Sequence, residues 1–368
     1  MIKIVHVLTD TNIGGAGVWL LNYLKSYDRN KYNVCVALPE NSMLKQKVSD
    51  LGIRVYEVSG IADKSFSKEG IKEFKKLFEK LKPDIVHSHA SLSARVAAKK
   101  LKIKIVNTRH CLEEKKKFPV SVVYSMINNY LSDIVIGVSK AACENLIADG
   151  TDKNKVRLVY NGAFPPQKLS DEEKNKIREK YNIPRNDVIV GIVARLEPVK
   201  NHELFLKAMK IVLESCDNVT ALIVGSGSME ERLKELSKEF NIDKRVIFTG
   251  YQSDTTELMN IIDINVLTSE KEALSLSLIE GMFLEKAAVT TDSKGPCEVV
   301  EDGKTGIVVE NHSEVLLAEA VIKLVENEQL RTDMGKSGAE RAEKLFSVNK
   351  MIASLDGIYG ELIKDERI

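Results

Sequence analysis

Two cations and two carboxylates in the second half of the chain are spaced for work on a phosphorylated, hydroxyl-rich ligand. In the run from Gly191 to His202, Arg195 follows a β-branched stretch and Lys200 lies in the loop before a helical segment. Fixed cations at one strand end suit a diphosphate, with surface charge pairing as the other reading. In Glu272-Ala273-Leu274-Ser275-Leu276-Ser277-Leu278-Ile279-Glu280, the first carboxylate precedes a helix and the second lies inside it. The amides at that helix start can hold a phosphate, because the helix dipole favours an anion there, while the carboxylates accept from hydroxyls.

Two glycine loops could bring backbone close to an anion. Ile13-Gly14-Gly15-Ala16-Gly17 precedes an apolar helix expected to begin near Val18, and Val224-Gly225-Ser226-Gly227-Ser228 opens another. Neither is the dinucleotide GxGxxG pattern, so a nicotinamide cofactor is not expected. His87 and His89 alternate at a strand end, but no third ligand is apparent in the sequence and no metal is expected. His6 reads as a satisfied core histidine and His202 as a helix-start residue. Lys115-Lys116-Lys117, followed by Phe118-Pro119-Val120 and Val122-Val123-Tyr124, reads either as a membrane or acceptor docking element or as a solvated helix start.

These residues need elements to position them. Short β-branched runs alternate with amphipathic stretches along the whole chain, the pattern of βα units around parallel sheets. Seven runs precede Pro165-Pro166, a step that continues neither helix nor strand, and six follow it. The expected division is residues 1–165, a first Rossmann-like domain, and 166–346, a second. The last helix, about 347–368, is expected to pack back on the first domain. Two doubly wound α/β domains place ligands at the carboxyl ends of their strands, here in a central cleft that both would face.

Composition narrows the class. Of 368 residues, 43% are hydrophobic and 29% charged, with a formal net charge of +1, as in an ordinary globular protein. The length suggests two domains. Five scattered cysteines have neither framework nor zinc-ligand spacing, which favours a reducing cytoplasm. The N-terminus reads as a first strand and not a signal peptide, and no apolar stretch is long enough to span a bilayer. The near-zero charge hides an asymmetry: residues 1–165 carry 27 Lys plus Arg against 16 Asp plus Glu, the remainder 27 against 37. Either the two halves attract each other or the first half meets something anionic. No nucleic-acid partner is expected.

In order along the chain, these motifs resemble the retaining glycosyltransferase family 4 with the GT-B fold. The resemblance rests on the first glycine loop, Pro83-Asp84-Ile85-Val86-His87-Ser88-His89, Thr108-Arg109-His110, Gly137-Val138-Ser139, Asn161-Gly162, the Arg195/Lys200 pair, Val224–Gly227, and Glu272 with Glu280. It implies that Arg195 and Lys200 bind the donor diphosphate and Glu280 the ribose. Glu272, with the segment Ala273, Leu274, Ser275 and Leu276, would hold the transferred sugar and β-phosphate. Gly14, Gly15 and Gly225 would approach phosphate, His110 would reach the sugar, and Tyr251 with Gln252 would contact the base. The chain departs from the family pattern at Gly17, at Phe164, and at Glu285-Lys286-Ala287-Ala288-Val289, which replaces a Gly-x-Pro-Val entry.

The resulting expectation is a retaining, metal-independent hexosyltransferase. It would use a nucleotide-diphosphate sugar, UDP favoured over GDP, and a saccharide or lipid-linked acceptor in cell-surface polysaccharide or glycolipid assembly. It would be cytoplasmic, with reversible contact to an anionic membrane surface. A nucleotide-sugar epimerase or hydrolase of GT-B architecture and a non-catalytic nucleotide-sugar-binding protein are the alternatives.

Overall fold

The computed structural model describes residues 1–113 and 120–364. Its strands form two wholly parallel sheets. The first contains β1 (Ile2–Val7), β2 (Tyr32–Pro39), β3 (Arg54–Val58), β4 (Ile85–Ser88), β5 (Lys104–Arg109), β6 (Ile134–Gly137) and β7 (Val156–Leu158), in the order β3-β2-β1-β4-β5-β6-β7. The second contains β8 (Val188–Val193), β9 (Val219–Val224), β10 (Val246–Phe248), β11 (Ile264–Leu267), β12 (Ala287–Thr291) and β13 (Gly306–Val309), in the order β10-β9-β8-β11-β12-β13. The seven strands before Pro165-Pro166 and the six after it match the expected numbers.

Parallel strands covered by helices on both faces must be apolar on both faces. All six residues of β8 and all six of β9 are accordingly buried. In each sheet the strand order reverses once, between β1 and β4 and between β8 and β11. At such a switch point the loops leave in opposite directions and open a crevice at the carboxyl ends.

The chain divides into two compact units, Met1–Ala163 with Val348–Ile368, and Phe164–Ser347. The first unit thus includes the helix Val348–Lys364, which buries Met351, Leu355, Tyr359 and Leu362 in the core built by Ile4, Leu20, Val36 and Ile136. At roughly 1.5–3 kcal/mol per buried large side chain, this helix contributes on the order of 6–12 kcal/mol before ordering entropy. Among the described residues, no helix is long and apolar enough to cross a membrane.

Candidate functional site

In the second unit, the expected residues gather around the β8/β11 switch point. Arg195 follows β8 and is exposed. Its loop lies against the second glycine loop: Leu196 N–H donates to the Ser226 carbonyl at 3.0 Å, and Met229 N–H to that of Leu196 at 2.9 Å. A Cβ at Gly225, whose φ is +140°, would lie 2.1 Å from the Ala194 carbonyl oxygen, and one at Gly227 2.4 Å from that of Leu196. These glycines are therefore required by the approach of one loop to another, which sets the backbone that carries Arg195. Glu197 accepts from Ser228 Oγ at 2.8 Å and Ser228 N–H at 3.3 Å, and these bonds, then Arg195, hold its carboxyl below the usual range.

Lys200 ends a 3₁₀ turn, Pro198–Lys200. Thr268, just past β11, donates its hydroxyl to the carbonyls of Lys200 and Asn201, each at 2.9 Å, and Glu270 N–H donates to that of Val199. The strap is thereby tied across the switch point, and Lys200 Nζ donates to Glu272 Oε2. The two side chains are 16% and 18% exposed. Lys200, expected from the sequence to act beside Arg195, is paired with Glu272.

Glu272 leads into the helix Leu276–Phe283, capped by Ser275, whose Oγ accepts from Leu278 N–H at 3.3 Å. The amides of Leu276 and Ser277 precede the first intrahelical bond. Ala273 and Leu274 are buried beneath them. Two residues that sequence reasoning missed hold this segment. A Cβ at Gly295 would lie 2.3 Å from the Glu272 carbonyl, and Asn265 of β11 donates Nδ2 to the Ser277 carbonyl at 2.9 Å. A Lys-Gly-Pro step directly after a strand is the only signal the sequence offered for Gly295. Burial, then the neighbouring Asp254 carboxylate, pushes the Glu280 carboxyl up to about 7. Asp254 was also missed, since no spacing links it to Glu280. Tyr251 is 67% exposed, while Gln252 turns its amide back to the Thr249 carbonyl at 2.9 Å.

The departure at Glu285 has a visible cost. This residue adopts φ +59°, where glycine is easier, above Gly335, whose Cβ would lie 2.0 Å from its carbonyl. Lys286 is pressed into the interior, donates to the Asn260 carbonyl at 2.7 Å, and is held down to about 8 by burial.

In the first unit the helix begins at Gly15, three residues earlier than expected, with Gly14 as its N-cap. Neither Gly14 nor Gly15 would bring a Cβ within 4 Å of another group among the described residues, so packing among these does not require them. His110, just after β5, joins a buried histidine cluster. His89 Nδ1 and His110 Nε2 share a hydrogen bond of 2.8 Å, His6 Nδ1 and His89 Nε2 one of 3.2 Å. His87 is bonded through both nitrogens, to Tyr359 and Thr108, each at 2.7 Å. Two expectations need correction. His6 is not satisfied, because its Nε2 has no partner, and it supplies the third histidine the sequence lacked, since His6, His87 and His89 place ring nitrogens within 4.8 Å of one another. Metal binding is nevertheless poorly served. The His87 and His89 rings stack at 10°, so their in-plane lone pairs run side by side instead of converging. His202 does start a helix, but it is buried with neither ring nitrogen partnered. The Lys115–Lys117 run lies outside the described residues.

Comparison with known proteins identifies the family and the fold. Residues 173–341 match the family described as "Glycosyl transferases group 1", and residues 13–163 that described as "Glycosyltransferase Family 4". The chain is 29% identical to the capsular polysaccharide biosynthesis glycosyltransferase CapM of Staphylococcus aureus, over 78% of this chain and 80% of that one. It is 23% identical to the UDP-Gal:alpha-D-GlcNAc-diphosphoundecaprenol alpha-1,3-galactosyltransferase of Escherichia coli, over 98% and 97%. Its fold matches that of Anabaena Alr3699/HepE, solved in complex with UDP-glucose, with a TM-score of 0.87 at 21% identity, over 98% of this chain and 100% of that one. With two doubly wound parallel-sheet units and both family matches in register, the chain belongs to glycosyltransferase family 4 and has the GT-B fold.

Proposed function

We propose that this glycosyltransferase moves a hexose-type sugar from a UDP-sugar to a saccharide or lipid-linked acceptor in cell-surface polysaccharide assembly, with retention at the anomeric carbon. The observation that carries the reading is the β8/β11 assembly: Arg195, Lys200 paired with Glu272, and the first amides of the helix Leu276–Phe283. A diphosphate entering there takes Lys200 from Glu272, and the freed carboxylate then accepts from sugar hydroxyls. Arg195, Lys200 and the amides meet the charge that develops on the departing phosphate, typically the largest catalytic term. The sequence contains no Asp-x-Asp triplet, so we assign this role to the protein's own cations and not to a metal. Glu280 takes the ribose hydroxyls, Tyr251 and Gln252 the base, while Gly225 lies on the phosphate side; in the first unit, Gly14, Gly15 and His110 are the residues assigned to ligand.

The relatives support the donor and acceptor classes. The E. coli protein's name gives a UDP-sugar and a diphosphoundecaprenol-linked acceptor, and the Anabaena structure holds UDP-glucose. A lipid-linked acceptor also agrees with the helix Val120–Tyr130, which exposes Val122, Val123, Met126, Ile127 and Tyr130. These positions form one helical face. Lys99 lies 4.9 Å above the Tyr130 ring. An apolar stripe beside cations suits an anionic membrane surface.

The test is time-resolved NMR of UDP-hexoses with lipid-diphosphate-linked saccharides, with and without EDTA. Transfer with retained configuration, undiminished by EDTA, is expected. Isomerisation or hydrolysis alone would establish the epimerase or hydrolase alternative, and binding without turnover a sensor.

A further inference from the structure

Thr268 is the first residue after β11 and is fully buried. A hydroxyl has one proton to donate, yet here it is shared between two carbonyls, those of Lys200 and Asn201, each at 2.9 Å. In an extended chain successive carbonyls point opposite ways, and one donor does not reach both. Asn201 removes that obstacle. Its φ and ψ are both 49°, a left-handed helical geometry in which the peptide carbonyls before and after it run nearly parallel. Asparagine tolerates this region better than most side chains do, and its Oδ1 accepts from Leu204 N–H at 3.3 Å, so the same residue caps the helix His202–Ser215.

The segment that starts at Thr268 also carries the partner of the Lys200 side chain. Glu270 N–H donates to the Val199 carbonyl at 3.0 Å, and Glu272 accepts from Lys200 Nζ. The backbone of Lys200 and the carboxylate that pairs with its ammonium are thus both referred to the end of β11. The lysine side chain can swing, but only about a Cα that the Thr268 hydroxyl holds.

We propose that Thr268 is a positioning residue for sugar transfer: its shared hydroxyl proton fixes the backbone of Lys200, and with it the place from which the Lys200 ammonium meets the donor diphosphate. The part played by Lys200 rests on the function proposed above; the tether does not.

A double-mutant cycle in the whole chain tests the positioning. Thr268→Val, which exchanges the hydroxyl for a methyl of similar size, should lower kcat about tenfold, within the roughly 10²-fold that a 1 Å misplacement can cost. Donor KM should change far less, because the charge that Lys200 meets develops in the transition state. Thr268→Ser, which keeps the hydroxyl, should recover most of the loss. In a Lys200→Ala background the same Thr268→Val change should cost less than about twofold, since residues that act through one another are not additive. Equal losses in the two backgrounds would overturn the proposal, as would a folded Thr268→Ser no better than Thr268→Val. NMR of the ligand-free protein tests the tether by itself. The wild-type Thr268 hydroxyl proton should exchange slowly with water, and the carbonyl carbon shifts of Lys200 and Asn201 should move in Thr268→Val and return in Thr268→Ser. A rapidly exchanging hydroxyl would overturn the proposal even if Thr268→Val does not fold. An intact tether in a protein whose transfer is indifferent to Lys200→Ala would reject the functional reading of Lys200 alone.

Discussion

Lys200 and Glu272 lie 72 positions apart in the chain, yet they form an ion pair across the point where the second sheet reverses its strand order. The pair keeps a largely buried cation compensated. Removing one partner from such a pair strands the other.

Arg195→Ala and Lys200→Ala should therefore each lower kcat by about 10²–10³, the range seen when one preorganised donor is lost. Glu272→Gln should damage transfer far more than the binding of bare UDP. Steady-state kinetics with UDP calorimetry measures both, and a change below about fivefold at both cations would place the diphosphate elsewhere.

The two glycine loops should respond in opposite ways. Gly225→Ala meets the Ala194 carbonyl at φ +140° and should destabilise the fold by about 1–3 kcal/mol, displacing the Arg195 loop. Gly15→Ala meets nothing, so its melting temperature should stay within about 1 °C while transfer falls at least tenfold. Calorimetric melting and activity assays compare them; full activity in Gly15→Ala would remove that loop from the ligand site.

With its carboxyl raised to about 7, Glu280 is neutral in the ligand-free protein below that pH and carries a costly buried charge above it. The folded state thus holds its proton where the unfolded chain has lost it, so this contribution to stability falls as pH rises from 4.5 to about 7 and is gone above that. Relative to wild type, Glu280→Gln should gain stability as pH rises from about 4 to 7 and hold that gain at pH 8, by at most about 3 kcal/mol. UDP affinity, which needs the ionised form to accept from two hydroxyls, should increase from pH 6 to 8 in wild type and stay flat in the variant.

Vesicles test the exposed helix face. Sedimentation with anionic lipid should be strong at low salt and weaken at physiological salt, and Met126→Ser with Ile127→Ser should reduce it at least fivefold. Each basic residue near the surface adds about 1 kcal/mol, so Lys115, Lys116 and Lys117 changed to Ser should reduce it further. Indifference to anionic lipid would indicate a soluble acceptor.

The strands were legible because burial on both faces writes them as β-branched runs, and Glu272 and Glu280 were legible because both sit on one short stretch. Partnerships across a switch point were not. Nothing in the sequence ties Lys200 to Glu272, Asp254 to Glu280, or His6 to His89 83 positions later, because βα topology, not spacing, brings them together. The Gly225–Gly227 loop was read for an anion, yet its glycines are already required by the neighbouring backbone. Gly14 and Gly15 show the converse, and only a structure separates the two cases.

The helix Val348–Lys364 closes the core of a unit whose other residues end at Ala163. During translation, the first sheet therefore leaves the ribosome without Leu355, and without Tyr359 to bond His87, and it must wait through the synthesis of the whole second unit. Domains generally fold as units in the order they emerge. Here the second unit to begin emerging is the first that can finish, and the nascent N-terminal half spends that interval with part of its apolar core uncovered.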